Sequence, residues 1–326
     1  MVDYFIGTSS FESSSEYWHW LNKKNIEQLA ESGYGNFKQT VARNYFTWFG
    51  GLDTGYVRKL LKDRSEADLA LPLKEILRKQ MDLSIDESVL YNIATVILLD
   101  FVLRKKVGSY IQMLEEPLEG NPPFINYQNR RITQDILNGL LEYMSITDGC
   151  DTTKISSILE VGAGSGRTAF CLLKLLPGVK YVVVDIPPAL FVSQSYLLSV
   201  FAGKKVFKFK PFKSFAEIEQ RYEASDLIFL MPDQLDLLPP RSIDLFLAID
   251  CLHEMKKMQV NLYFDAVQKL AKNFYFKCWQ ETTVPFDDIT YTIEDYPLKS
   301  NWIEIYKRNC EVPSTYFEAF YRIDRT

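Results

Sequence analysis

Apolar and polar positions divide this chain into two halves with different periods. Up to about residue 115, apolar residues recur at spacings of three and four, in stretches 16–31, 36–49, 55–64 and 88–106. That period predicts amphipathic helices, and Gly33, Gly35, Gly50 and Gly51 punctuate them. From Ile155 onward, short apolar runs alternate with helical ones. Residues 155–161 predict a first strand, 168–176 a helix closed by Pro177-Gly178, and 179–185 a second strand. A helix over 188–201 follows, with proline in its first turn, where a missing N–H costs little. Stretches 226–231, 243–249 and 274–279 read as further strands, apolar as in a sheet covered on both faces. Residues 316–323 read as the last strand.

Between the halves, Glu116-Pro117-Leu118-Glu119-Gly120-Asn121-Pro122-Pro123 reads as a linker, since proline and glycine break helices. An extended piece at 124–127 follows, then Thr133 as the cap of a helix with apolar face Ile136, Leu137, Leu140, Leu141 and Met144. The expected organisation is a helical region over 1–115, acting as a cap, an oligomerisation surface or both, and an α/β domain over 116–326. The α/β half should be Rossmann-like, a mostly parallel sheet with helices on both faces. Lysine alternates with valine or phenylalanine over 204–213. That is an amphipathic strand with a lysine-rich solvent face rather than a single-strand nucleic-acid platform; its place in the sheet is open.

Composition narrows the function classes. With 326 residues, 47% hydrophobic and 24% charged, the chain can bury a sizeable core. A net charge of −5 argues against a nucleic-acid partner. Cys150, Cys171, Cys251, Cys278 and Cys310 are scattered, odd in number and without a C-x-x-C pair, which argues against structural zinc or a disulfide framework. The first twenty residues lack a basic start followed by an apolar stretch, and the most apolar segment, 89–103, is too short to span a bilayer. The expectation is a soluble, cytoplasmic protein.

The chemistry concentrates in Ile158-Leu159-Glu160-Val161-Gly162-Ala163-Gly164-Ser165-Gly166-Arg167, followed by Tyr181-Val182-Val183-Val184-Asp185. Strand, glycine turn, helix and a second strand ending in an acid place a nucleotide-like ligand at the carboxyl edge of a parallel sheet, its ribose hydroxyls on the acid. A dinucleotide pattern needs a glycine where Arg167 stands. The acid-first order with closely spaced glycines instead resembles motif I of class I S-adenosylmethionine-dependent methyltransferases. That resemblance implies S-adenosyl-L-methionine as cofactor, a seven-stranded sheet closed by an antiparallel strand, and cofactor contacts from Glu160, Gly162, Ala163, Gly164, Gly166, Asp185 and Ile186. It also implies that the loop Met231-Pro232-Asp233-Gln234 meets the adenine, through Pro232, Asp233 and Gln234.

His253, one of two histidines, follows the strand that begins at Ile243. A neutral imidazole there suits proton abstraction from a hydroxyl, with Glu254 or Asp250 to orient it. His19 lies in Glu16-Tyr17-Trp18-His19-Trp20 and reads as packing. Asp250 and Glu254 leave a divalent metal open, without a committed ligand set. Trp279, at a strand end, is either a platform for a sugar face or core.

Further stretches resemble a family of bacterial sugar O-methyltransferases over roughly residues 36–324. They are Glu116-Pro117 with Gly120-Asn121-Pro122, Ile132-Thr133-Gln134-Asp135, Val184-Asp185-Ile186-Pro187-Pro188-Ala189-Leu190, Phe229-Leu230-Met231-Pro232 with Gln234, Asp244-Leu245-Phe246, Leu252-His253-Glu254-Met255 and Phe317-Glu318-Ala319. The resemblance implies methylation of a hydroxyl of a sugar or sugar nucleotide, a small-molecule acceptor serving polysaccharide biosynthesis. It places the segment around Tyr127, Arg131 and Gln134 near the cofactor; Asp250, at the end of the strand before His253, is a further expected cofactor contact. Asp250-Cys251 departs from the small polar residues expected there. Another small hydroxylated metabolite, or a non-catalytic cofactor-binding partner, are the rival readings.

Overall fold

Strands that are apolar at every position bury both faces, and here successive residues enter two different cores. The computed structural model describes residues 1–12, 14–45 and 87–324. The first half contains α1 (Val2–Ile6), α2 (Ser9–Glu12), α3 (Glu16–Ser32), a 3₁₀ segment (Tyr34–Gln39), α4 (Ala42–Tyr45) and α5 (Glu87–Leu103). A hairpin of β1 (Ile125–Tyr127) and β2 (Arg130–Ile132) leads into α6 (Gln134–Gly149). The α/β part then runs β3 (Ser157–Val161), α7 (Arg167–Leu175), β4 (Lys180–Val184), α8 (Ala189–Val200), β5 (Val206–Phe207), α9 (Glu219–Glu223) and β6 (Leu227–Leu230). It continues with β7 (Ile243–Ile249), α10 (Lys257–Leu270), β8 (Ala271–Trp279), the hairpin β9 (Glu281–Val284) and β10 (Ile289–Thr292), then β11 (Trp302–Asn309) and β12 (Tyr316–Ile323).

The main sheet has strand order β11-β12-β8-β7-β3-β4-β6-β5. All neighbours from β8 to β5 are parallel, and β12 is antiparallel to both β8 and β11. This is the Rossmann-like arrangement, with the order reversing between β3 and β7 and so opening a crevice above their carboxyl ends. The sheet has eight strands where seven were expected. Val206–Phe207 of the lysine-alternating stretch adds a two-residue edge strand on β6.

Ile158, Tyr181, Val183, Leu227, Phe229, Leu245 and Leu247 join the core beneath α6, α7 and α8. Their neighbours Leu159, Val182, Val184, Ile228, Leu230, Phe246 and Ala248 join the core beneath α10, which contributes Val260, Phe264 and Val267. Each large apolar side chain so buried contributes about 1.5–3 kcal/mol. Thr133 caps α6 as its sequence predicts, its Oγ1 accepting from the Ile136 N–H at 3.2 Å. The predicted helix at 16–31 is α3, and that at 88–106 is α5. Over 36–49 the chain instead forms the 3₁₀ segment and α4, and the rest of that stretch, like the helix expected at 55–64 and Gly50 and Gly51, lies outside the described residues. No helix among the described residues is long and apolar enough to cross a membrane.

A buried charge cluster ties the layers together. Glu142 of α6 takes both guanidinium nitrogens of Arg167 at 2.9 Å, the Thr168 hydroxyl at 3.1 Å and the Lys277 ammonium of β8 at 3.4 Å. Burial pushes the Glu142 carboxyl up, but Arg167 and Lys277 more than offset this and hold it below its ordinary value. Removing one partner of such a pair strands an uncompensated charge. Glu142→Gln should therefore lower the unfolding free energy by roughly 3–5 kcal/mol. Denaturant titration checks this, and a loss under about 1 kcal/mol would show that the cluster is dispensable.

Candidate active site

The glycine turn after β3 requires glycine on backbone grounds. Gly162, Gly164 and Gly166 have φ of 67°, 58° and 85°, a region that side chains rarely enter. At Gly162 a Cβ would also meet the Cys251 Cβ at 2.5 Å. The turn is fastened by Asp185 at the end of β4. One carboxylate oxygen accepts from the Gly164 N–H and the other from the Ile186 N–H, both at 2.7 Å. Glu160 accepts from the Tyr181 hydroxyl at 2.8 Å.

Above the turn lies a cavity open to solvent on one side. Its wall includes Glu160, Gly162, Ala163, Gly164, Asp185, Ile186 and Asp250, all expected from sequence, and Glu254. Asp135, Glu160, Asp185, Asp250 and Glu254 bring five carboxyl groups to it. Arg167, the cation in the wall, is already paired with Glu142. Such a surface favours a cationic ligand. Gly166 is the cap of α7 beneath it.

Burial pushes the Glu160, Asp185 and Asp250 carboxyls each up to about 7, and pushes Glu254 well above its ordinary value. For Asp250, Tyr316 works in the other direction, donating its hydroxyl at 2.7 Å. Asp250 has φ of 58°, a left-handed conformation that a non-glycine residue holds only when its surroundings fix it.

His253 is placed differently from the sequence reading. Its side chain is 3% exposed, stands one layer behind the cavity wall, and is adjacent to Asp250, with Nε2 3.6 Å from Oδ1. Burial holds its pKa down to about 3, so the imidazole is neutral. Its Nδ1 is buried without a hydrogen-bond partner among the described residues. Trp279 packs on Tyr316 at 5.4 Å and faces His253 at 6.2 Å, yet stays 40% exposed.

The loop after β6 divides its expected roles. Pro232 opens the 3₁₀ turn Pro232–Leu237. Gln234 is buried and spends both ends of its amide on the loop, accepting from Met231 N–H and donating to the Lys210 carbonyl, each at 2.9 Å. Pro232, Asp233 and Gln234 all lie outside the cavity wall. Asp233 stands near the wall residue Tyr263, its Oδ2 accepting from the Tyr4 hydroxyl while Oδ1 is buried with no partner among the described residues.

The three residues expected near the site from the pre-domain segment are engaged elsewhere. Arg131 pairs with Glu115 at 2.7 Å and donates to the Glu116 carbonyl at 2.8 Å. Gln134 is buried against Tyr91, and Tyr127 lies in the β1–β2 hairpin outside the cavity wall. It is the next residue, Asp135 in the first turn of α6, that reaches the wall, beside the buried Lys38 ammonium at 3.4 Å. Sequence reading also missed Ser14 and Trp18, which bring the N-terminal segment into the wall. Ser15 donates to the Glu254 carbonyl at 2.9 Å, and Asp287 of the β9–β10 hairpin accepts from the Glu16 N–H at 2.9 Å. Among the described residues, no group of three or more metal-ligating side chains stands together.

No protein-family model and no curated protein matches the sequence. Among solved structures, the chain is similar to a SAM dependent methyltransferase from Aquifex aeolicus, at 12% identity over 66% of this chain and 98% of that one, with a TM-score of 0.40. It is also similar to an S-adenosylmethionine-dependent methyltransferase from Clostridium acetobutylicum ATCC 824, at 13% identity over 59% and 92%, with a TM-score of 0.39. A third is the N-terminal domain of EvdMO1 in the presence of SAH and D-fucose, at 11% identity over 62% and 90%, with a TM-score of 0.37. The fold assignment rests on the strand order itself.

The raised carboxyls set a pH dependence. Carboxyls of an unfolded chain titrate near 4, so between about 4 and 7 the folded protein binds more protons and loses stability as pH rises. His253 has the opposite sign, its depressed pKa adding stability as pH rises towards the unfolded value of about 6.5. From about pH 6.5 to 8 the carboxyls act alone, and the ligand-free melting temperature should fall by on the order of a few degrees. A flat or rising melting temperature across that window, by calorimetry, would overturn the assignment of those three groups.

Proposed function

We propose that this chain is an S-adenosyl-L-methionine-dependent O-methyltransferase acting on a hydroxyl of a sugar or sugar nucleotide. The observation that carries the reading is the pairing of a left-handed glycine turn, pinned by Asp185, with a cavity wall rich in carboxyl groups. The cofactor supplies a methyl group on a cationic sulfonium. Asp185 keeps lone pairs for ribose hydroxyls beyond its two backbone bonds, and Asp233 Oδ1 is an unpaired buried acceptor for the adenine amino group. Gly162 and Gly164 let the backbone approach the ligand, and the carboxyl groups offset its positive charge.

Methyl transfer to a hydroxyl requires that the acceptor lose a proton. Asp250 and His253 supply that base as a pair, with Tyr316 holding Asp250 in place. The cavity position of Asp250, with a carboxyl near 7, favours it as the group that meets the hydroxyl, with His253 behind it. Tyr17, Trp18 and Trp279 offer flat faces for a sugar ring, consistent with the family resemblance in Leu252-His253-Glu254-Met255. The N-terminal helices act in this reading as a cap over the acceptor, and the enzyme works in the cytoplasm on a small-molecule substrate.

Calorimetry should detect S-adenosylmethionine and S-adenosylhomocysteine binding, with Asp185→Ala weakening it by at least about tenfold through lost ribose and loop bonds. Affinity for S-adenosylmethionine should rise as pH increases through 7, because the cation binds the ionised carboxyls. Absence of binding at any pH would sink the proposal. With a sugar-nucleotide panel as acceptors, His253→Ala and Asp250→Asn should each cut turnover by about a hundredfold or more, with cofactor affinity near normal in His253→Ala and lowered in Asp250→Asn, which removes one of the carboxyls that face the cation. Full turnover in His253→Ala, with Asp250→Asn inactive, would leave Asp250 as the base by itself.

A further inference from the structure

The first helix reaches across the molecule to the loop after β6. Tyr4 of α1 donates its hydroxyl to Asp233 Oδ2 at 2.5 Å, a contact between residues 229 apart in sequence. Its ring packs edge-on against Phe209 at 5.5 Å, and its neighbour Phe5 is 4% exposed in the core beneath α6 to α8. Burial, and then Asp233, push the Tyr4 phenol up to about 12, so it remains a donor throughout neutral pH. The consequence falls on the other oxygen of the same carboxylate. With Oδ2 taken, Oδ1 is left buried and without a partner among the described residues. A carboxylate oxygen in that condition costs free energy until a donor arrives.

We infer that Tyr4 is a positioning residue for adenine selection: by fixing Asp233 through one oxygen, it presents the other as the acceptor for the 6-amino group of the ligand. The inference rests on the proposed S-adenosylmethionine site and adds to it a role for the N-terminal helix. Without the phenol, the Asp233 side chain is free to rotate about its terminal bond and take water or another donor. The site then loses its preference for a purine that carries an amino group at C6, while ribose and methionine contacts are untouched.

The test compares two ligands, so that a general loosening of the fold cancels. Calorimetric Kd values are measured for S-adenosyl-L-homocysteine and its 6-desamino purine analogue. The wild-type protein should prefer the adenine form by about tenfold or more, the worth of one hydrogen bond to a carboxylate. In Tyr4→Phe, which keeps the ring against Phe209, the preference should fall to about threefold or less. Phe209→Leu, which loosens the packing of α1 but keeps the phenol, should retain the wild-type ratio. A Tyr4→Phe ratio equal to wild type would overturn the inference, as would an equal fall in both variants, which would mark Tyr4 as packing only. Failure of S-adenosyl-L-homocysteine to bind the wild-type protein would instead remove the proposed cofactor itself.

Discussion

One carboxylate fixes the geometry of the whole cavity. Asp185 accepts from Gly164 and Ile186, so the turn after β3 and the chain leaving β4 are held by a single side chain. Three left-handed glycines make the turn possible but also leave it conformationally free, because glycine loses more freedom on folding than any other residue. The carboxylate removes that freedom at the point where α7 begins. The acid at the end of the second strand therefore shapes the turn as well as facing the ligand space.

The cost of this arrangement is electrostatic. Glu160, Asp185, Asp250 and Glu254 are all held above their ordinary carboxyl range by burial. Arg167 acts against this at Glu160, and Arg167 and Lys277 at Asp250, but burial outweighs them; both cations converge on Glu142, and Lys38 is paired with Glu116. Positive charge is spent on joining helices to the sheet, and negative charge is left in the cavity. Such a division puts most of the structural pairing and most of the ligand-facing charge into separate ion networks, which meet at Arg167 and at Asp135 beside Lys38.

The parallel sheet was legible because its strands are mostly apolar on both faces, as a sheet covered twice requires. The glycine turn and Asp185 were legible for the same kind of reason, a local pattern with a local cause. What local pattern could not show was partnership across the chain. Gln234 has the residue type of an adenine contact, but its amide closes its own loop. Arg131 and Gln134 were placed near the site by resemblance, and the neighbouring Asp135 is the one in the wall. Ser14 and Trp18 carry no motif and reach the cavity only through tertiary packing, anchored by Ser15 and Asp287. The two-residue strand β5 was ambiguous because its alternation is equally that of a solvent-facing edge, which is what it forms.

Strand order also has a bearing on how the molecule is made. β12 lies between β8 and β11, and it carries Tyr316, the hydroxyl donor to Asp250. During vectorial synthesis the ribosome delivers every cavity-wall residue before it delivers this strand. A nascent chain thus holds Asp250 without its tyrosine and β8 with an open edge until the last strand inserts. Such an edge is a template for wrong pairing, and non-local closure of this kind is slow. Between emergence of β8 and insertion of β12, pairing of that edge depends on a strand that follows it by more than thirty residues.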